Sequence, residues 1–235
     1  MSTGIPANVI NNLIARLPRK QQHNVLKNCE PVNLVFGSVL CKPEQPVEHV
    51  YFPLTGFISL QAAVDSRPPM EVGLIGNEGM LGATLMLDVA DAPLQAAVQG
   101  AGTALHMSKK QFLQVIADNP ALSRLLNLYL YIMLTQLSKT ATCAHFHEVG
   151  ERLARWLLMI HDRAHADYFH LTHQFLADML GVQRSAVTIA AGVLQQRELI
   201  SYTRGEINIL NRNGLEAASC TCYDTGVRDY ERILA

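Results

Sequence analysis

Basic residues do not outnumber acidic ones in this 235-residue chain: 19 Lys and Arg stand against 20 Asp and Glu, a net charge of −1. That excludes a global basic field of the kind that announces nucleic-acid binding by charge alone. Residues 1–147 hold 10 basic and 9 acidic groups; residues 148–235 hold nine arginines, no lysine and eleven acidic groups. A second half that binds DNA must do so with a local patch. Long apolar runs are missing too, since none reaches the roughly 18 residues of a membrane-spanning helix. Cysteine is scarce, five in all at 29, 41, 143, 220 and 222. This odd, sparse set disfavours a disulfide framework and suits a reducing cytosol. The opening Met1-Ser2-Thr3-Gly4-Ile5-Pro6 lacks the basic stretch and apolar core of a secretory signal, so a cytoplasmic protein without a membrane partner is expected. Gly-rich phosphate loops, Gly-x-Ser-x-Gly elbows and His-Glu-x-x-His pairs are absent, so the chain does not read as an enzyme.

What is present is enough to build a core: 49% of residues are hydrophobic and 17% charged. Residues 5–28 read as helical, with Ile5, Val9, Leu13 and Leu17 at every fourth position, Pro18 as an interruption, and Val25 and Leu26 on a second short helix. From about 32 to 108 the texture changes to short apolar runs separated by Gly and Pro. Examples are Val32–Phe36, Val39–Cys41, His49–Phe52, Phe57–Val64, Glu71–Ile75, Gln95–Gln99 and Gly102–Met107. Strands at this spacing indicate an antiparallel sandwich or barrel. Ser108 and Gln111 then form a predicted capping box. After Asn119-Pro120 a stretch without Gly or Pro runs from Ala121 to about Cys143. Its broad apolar stripe needs covering on more than one side. Such a helix is either buried within its own chain or packed on a partner helix; the second reading is adopted here, because a small barrel cannot cover it all.

The last third carries the sharpest motif. An amphipathic helix over Glu151–Ile160 precedes Leu171-Thr172-His173-Gln174-Phe175-Leu176-Ala177-Asp178-Met179-Leu180-Gly181-Val182-Gln183-Arg184-Ser185-Ala186-Val187-Thr188. Thr172 caps a helix whose apolar face is Leu176, Ala177, Met179 and Leu180. Gly181 makes the turn, where a left-handed backbone is needed. A second helix runs from about Arg184 to Arg197 with Val187, Ala190, Ala191 and Leu194 inward. This is the pattern of a helix-turn-helix. Leu199–Leu210 reads as two strands about Arg204-Gly205, the wing of a winged helix-turn-helix. Similar helical hairpins occur in proteins that never touch DNA, so the alternative is a regulatory or scaffold protein with a ligand-binding β-roll and no DNA contact.

Two separated stretches, Pro46–Leu60 and Leu171–Leu210, together with the order of parts, resemble the cyclic-AMP receptor protein and fumarate-nitrate regulator (CRP/FNR) family of bacterial transcription regulators. The resemblance implies an α+β fold: an N-terminal antiparallel β-roll, or cyclic-nucleotide-binding-like jelly roll, with short helices in residues 1–118, a dimerisation helix and hinge in 119–147, and a winged helix-turn-helix in 148–235. It implies a homodimer on a two-fold-symmetric DNA operator, with RNA polymerase as a further partner and a small-molecule effector of unknown identity. Leu122, Leu125, Tyr129, Ile132, Met133 and Leu137 are the expected dimer-helix residues. Arg184, Ser185, Thr188 and Ile189 face outward on the second helix as base readers, Arg184 by two parallel hydrogen bonds to guanine. Thr172, His173, Gln174 and Arg204 are candidate phosphate contacts.

The effector pocket departs from the family pattern. The stretch matching its Gly-Glu pair is Asn77–Leu85, where Gly82 is kept but Ala83 stands in place of the ribose-binding Glu and is followed by Thr84. Residues 93–98 offer no Arg for a cyclic phosphate, and a buried phosphate without counter-charge is costly. Gly82, Ala83 and Thr84 are the candidate pocket residues, and ordinary cyclic-AMP binding is not expected. No cofactor and no metal is assigned. Cys29 and Cys41 fall short of an iron–sulfur ligand set, and Cys220-Thr221-Cys222 alone is too short a spacing for a zinc knuckle. Six of nine histidines lie between 145 and 173; His161 and His165 share a helical face, but no further donor completes a site within one short stretch.

Overall fold

The structure is a computed structural model that describes residues 10–63, 65 and 68–234. Ile5 and Val9 of the first helical repeat, and Val64, lie outside the described residues. The chain forms two compact units, one of Met1–Leu60, Leu74–Leu134 and Ile233–Ala235, the other of Gln61–Gly73 and Thr135–Arg232.

In the first unit, α1 (Asn12–Ala15) starts at a buried cap. The Asn11 side chain accepts from Leu13 N–H at 3.0 Å and donates to the carbonyls of Pro53 and Gly79 at 3.0 and 2.9 Å. Pro18 occupies the cap of α2 (Arg19–Leu26), so the apolar repeat resolves into two short helices that bury Leu13, Leu17 and Val25. The strands follow as β1 (Glu30–Leu34), β2 (Val39–Cys41), β3 (His49–Pro53), β4 (Phe57–Ala62), β5 (Met70–Ile75), β6 (Gln95–Gly100) and β7 (Gly102–Ser108). They assemble in the orders β1-β7-β3 and β2-β6-β4-β5. The registers are antiparallel, Leu34 opposite Gly102 and Val50 opposite Met107. Val50, Phe52, Ile58, Leu74, Ile75, Met80 and Val98 fill the core. β1 ends sooner than its apolar run suggested, because Val35 and Phe36 turn outward.

Ser108 and Gln111 make the expected capping box at the start of α3 (Lys109–Ala117). Then α4 (Pro120–Phe146) runs for 27 residues. Burial divides the six residues expected to face a partner helix. Leu122, Tyr129 and Ile132 are covered by their own chain, the Tyr129 hydroxyl donating to the Met80 carbonyl at 3.3 Å. Leu125, Met133 and Leu137 are half-buried. Exposed positions along the helix include Asn127, Tyr131, Leu134, Ser138, Ala141 and His145, a series spaced alternately four and three apart as in a heptad; Arg124, Leu128, Thr142, Ala144 and Phe146 are exposed as well.

The second unit holds α5 (Val149–Ala164), β8 (Tyr168–His170), α6 (His173–Leu180), α7 (Arg184–Gln196), β9 (Ile200–Thr203), β10 (Glu206–Ile209), α8 (Arg212–Ala218) and α9 (Cys222–Leu234). Leu153, Leu157, Leu176, Val187, Leu194, Ile207 and Leu215 form its core. Trp156 packs within it, its indole N–H donating to buried Glu71 at 2.7 Å. The wing has a third strand that the sequence reading lacked, with β8 pairing to β10 in the order β8-β10-β9. α5 stops at Ala164 and His165 is its left-handed cap at φ +50°. His161 and His165 therefore do not share a helical face; His161 bonds Asp167 at 2.7 Å and also the Arg212 guanidinium.

Candidate nucleic-acid interface

The geometry of the two-helix motif follows from its local chemistry. Thr172 caps α6, its hydroxyl oxygen accepting from Phe175 N–H at 3.1 Å. Gly181 ends α6 at φ +64°, a left-handed backbone that favours glycine; a side chain there would also displace the flexible Met70 thioether, 2.6 Å away. Val187, Ala190, Ala191 and Leu194 are buried under α7, which fixes the helix roll. The opposite face is therefore outward: Arg184, Ser185 and Thr188 are exposed and Ile189 is 70% exposed. Three polar side chains and one apolar one thus stand together at the first turns of a helix. Such a set suits base edges in a major groove, where a guanidinium matches guanine and an aliphatic group a thymine methyl.

Around this face the phosphate candidates divide. Thr172, Gln174 and Arg204 are exposed, and Gln174 leans back to Asp178 at 2.8 Å. Arg204 sits at φ +52° beside Gly205 in the β9–β10 turn, so the wing presents its guanidinium at a tip. His173 is placed otherwise. Its ring is half-buried, stacked on Tyr202 with centroids 4.2 Å apart and planes 13° from parallel. Its Nδ1 lies 2.9 Å from the Thr188 hydroxyl, which also donates to the Arg184 carbonyl at 3.1 Å. A hydroxyl has one proton, so with that proton on the Arg184 carbonyl the imidazole must donate through Nδ1. Nε2 is then a bare, buried nitrogen with no partner among the described residues. Burial pushes the His173 pKa down, and the Arg184 charge adds to the shift, so the neutral ring is favoured. His173, a candidate phosphate contact, thus links α6 to Thr188 of α7 with its ring stacked on Tyr202 of β9. Tyr202, which sequence reasoning missed, completes the link: its N–H donates to Gln195 of α7 at 2.8 Å.

Charge placement explains how an acidic unit can present this face. Asp162 and Glu216 bind Arg212, Asp224 binds Arg228, and Asp229 binds Lys139 and Arg232. These pairs sit on α4, α5, α8 and α9, not on the outward face of α7. The Lys139 ammonium beside Asp229 holds that carboxyl below the usual range, with Arg232 contributing.

In the β-roll, Gly82 adopts φ +92° with Val50 Cγ1 only 2.8 Å from where a Cβ would stand. Ala83, 2% exposed, opens a short 3-10 helix over Ala83–Leu87, and Thr84 is half-buried. The three candidate pocket residues thus form a packed turn, and the methyl of Ala83 is core.

A further cluster joins parts that the sequence keeps apart. Among the described residues, the donor atoms of Cys143, His147, Cys220 and Cys222 all lie within 4.8 Å of one another. A hydrogen bond from Cys220 holds the Cys143 thiol well below its ordinary pKa, with the Arg155 charge helping. The Cys220 thiol is pushed up in turn.

Comparison with known proteins bears on both units. The Crp-like helix-turn-helix domain family matches residues 151–218, and the cyclic nucleotide-binding domain family matches residues 31–119. The global nitrogen regulator of Nostoc sp. is 27% identical over 179 residues, 71% of this chain and 79% of that protein. Among solved structures, FixK2 from Bradyrhizobium japonicum is similar with a TM-score of 0.68 at 16% identity, covering 82% of this chain and 98% of that one. The c-di-GMP-responsive global regulator CLP of Xanthomonas campestris is similar with a TM-score of 0.66 at 16% identity, over 82% and 99% of the two chains.

Proposed function

This chain belongs to the CRP/FNR family of bacterial transcription regulators and is a DNA-binding regulator of transcription, and on that premise we propose that it acts as a homodimer whose two α7 helices read successive major-groove faces of a two-fold-symmetric operator. The observation that carries the reading is the division of α7: an apolar underside locked in the core and a polar, guanidinium-led face outward at its N-terminus. Arg184 takes guanine, Ser185 and Thr188 take bases or phosphates, and Ile189 covers a thymine methyl. Thr172, Gln174 and Arg204, with the free N–H groups that open α6, hold the phosphates that set the register. His173 and Tyr202 keep Thr188 aimed.

The dimer seam is the heptad face of α4, with Tyr131 and Leu134 at 52% and 61% exposure as its apolar anchors. A second copy of the same helix matches that spacing. Few cations serve each protomer, so pairing two of them raises affinity through effective concentration. Five free cysteines suit a reducing cytoplasm as the place of action. RNA polymerase is the further partner if the regulator acts as an activator. The β-roll does not take cyclic AMP in the usual manner, since a buried methyl replaces the carboxylate at 83.

Selection of bound duplexes from a random pool, at low salt, tests the reading. The expected result is an inverted repeat whose half-sites are centred about one helical turn, ~10 base pairs, apart. Recovery of no enriched sequence, or of a single half-site bound by a monomer, overturns it.

A further inference from the structure

We propose that Cys143, His147, Cys220 and Cys222 bind one zinc ion, in a tetrahedral site of three thiolates and one imidazole that fastens the α8–α9 corner to the end of α4. The four donors come from two short segments. Cys143 and His147 are one helical turn apart, and His147 N–H still bonds the Cys143 carbonyl at 3.2 Å, so the turn of α4 continues through both. Cys220 lies in the link between α8 and α9, and Cys222, beyond Thr221, opens α9. Neither pair alone makes a site; the fold joins them across 77 residues of sequence.

Distances decide which occupant fits. Zinc holds thiolates at about 2.3 Å and imidazole nitrogens at about 2.0–2.1 Å, so tetrahedral coordination sets sulfur–sulfur edges near about 3.8 Å and sulfur–nitrogen edges near about 3.6 Å. Here Cys143 Sγ and Cys220 Sγ are 3.4 Å apart, and Cys222 Sγ is 3.6 Å from His147 Nδ1. The longest separation in the set is within 4.8 Å, which small side-chain rotations close. An iron–sulfur cluster places its ligands around several metal atoms and needs a wider cage. Thiolate and imidazole donors select zinc over magnesium, calcium or manganese, which prefer oxygen. A disulfide would use two of the three sulfurs and leave a buried thiol and an imidazole facing it with no role.

The surroundings answer the charge. Three thiolates and a divalent ion leave one net negative charge. Arg155, only 9% exposed, stands beside Cys143, and its Nε has no partner among the described residues. A buried guanidinium is costly without a counter-charge, and a zinc–thiolate centre supplies one. The site lies directly before Glu148, the cap of α5. A bound ion therefore holds the α4–α5 junction and the tail helix in one arrangement, and its binding energy adds to the stability of this unit.

The test is metal analysis of the full chain, purified with reductant and loaded with zinc, then dialysed. One zinc per chain is expected, and cobalt in its place should give intense tetrahedral ligand-field bands with thiolate charge transfer. Alkylation mapped by mass spectrometry should reach all five cysteines after chelation but only Cys29 and Cys41 when zinc is bound. Cys220→Ser and His147→Ala should lose stoichiometric zinc, and Cys29→Ser should keep it. If the site variants fail to fold, the cobalt spectrum and thiol protection of the unaltered chain still decide. Zinc well below one per chain, iron in its place, retention of zinc by Cys220→Ser, or a Cys143–Cys220 disulfide formed in the presence of zinc would each overturn the proposal. None of these readouts depends on DNA, so failure here leaves the operator reading standing, and the reverse.

Discussion

The winged helix-turn-helix and the β-roll follow the same family pattern but preserve different parts of it. In the first, backbone and chemistry are kept together: Gly181 makes the turn, Val187 and Leu194 lock the roll, and Arg184, Ser185 and Thr188 stand outward. In the second, the backbone is kept and the chemistry is gone. Gly82 turns at φ +92°, yet Ala83 buries a methyl where the family resemblance leads one to expect a ligand-binding carboxylate. Packing alone is enough to require such a turn, since a Cβ at 82 would meet Val50 Cγ1 at 2.8 Å. The family match carries the DNA-binding unit to a function, but for the β-roll the side chains have to be asked directly.

Restoring the missing carboxylate is the harshest way to break this contrast. Ala83→Glu would put an unpartnered carboxyl into a packed turn, so a loss of about 3 kcal/mol or more is expected, visible as a large drop in Tm, with no gain of cyclic-AMP binding by calorimetry. A stable variant that binds the nucleotide would show that only one side chain separates the two halves. In the DNA-binding unit the corresponding core test is Leu194→Ala. It should cost about 2–5 kcal/mol in denaturant unfolding, because the roll of α7 depends on that buried face.

Smaller effects sharpen the account of the His173 link. Tyr202→Ala removes the stack under His173 and should cost roughly 0.5–1.5 kcal/mol of stability, together with a weaker preference for the selected operator. An unchanged affinity would mean that Thr188 needs no support from the wing. The pH dependence of His173 is smaller still. Its folded pKa lies below the ordinary 6.5, so its contribution is fully present above that value. As pH falls through the window below 6.5 the unfolded chain takes up the proton first and stability declines. Denaturant midpoints at about pH 7.5 and about pH 5.5 should therefore show a fall that His173→Phe lessens.

What the sequence reveals and what it hides divide along the range of the interactions. Caps at Thr172 and Ser108, the turn at Gly181 and the inward set Val187, Ala190, Ala191 and Leu194 are local, and each was readable from spacing. Strand β8 was not: three residues, exposed or half-buried, have no alternation, and only pairing with β10 makes them a strand. Nearly every face of α4 is apolar, so the pattern alone does not say which face meets the barrel. The stack of His173 on Tyr202 was hidden because the two residues lie 29 positions apart. The Cys143, His147, Cys220 and Cys222 cluster was invisible for the same reason, its two halves being separated by an entire winged helix-turn-helix.

The central claim is that the guanidinium leading α7 reads base sequence. Fluorescence anisotropy of the full chain and of Arg184→Ala, on the selected operator and on a scrambled duplex of equal length at the same salt, tests it most directly. The unaltered chain should prefer the operator, and the variant, still folded, should lose about 1–3 kcal/mol of that preference per half-site while its binding to the scrambled duplex changes little. An equal preference in both proteins would contradict the account.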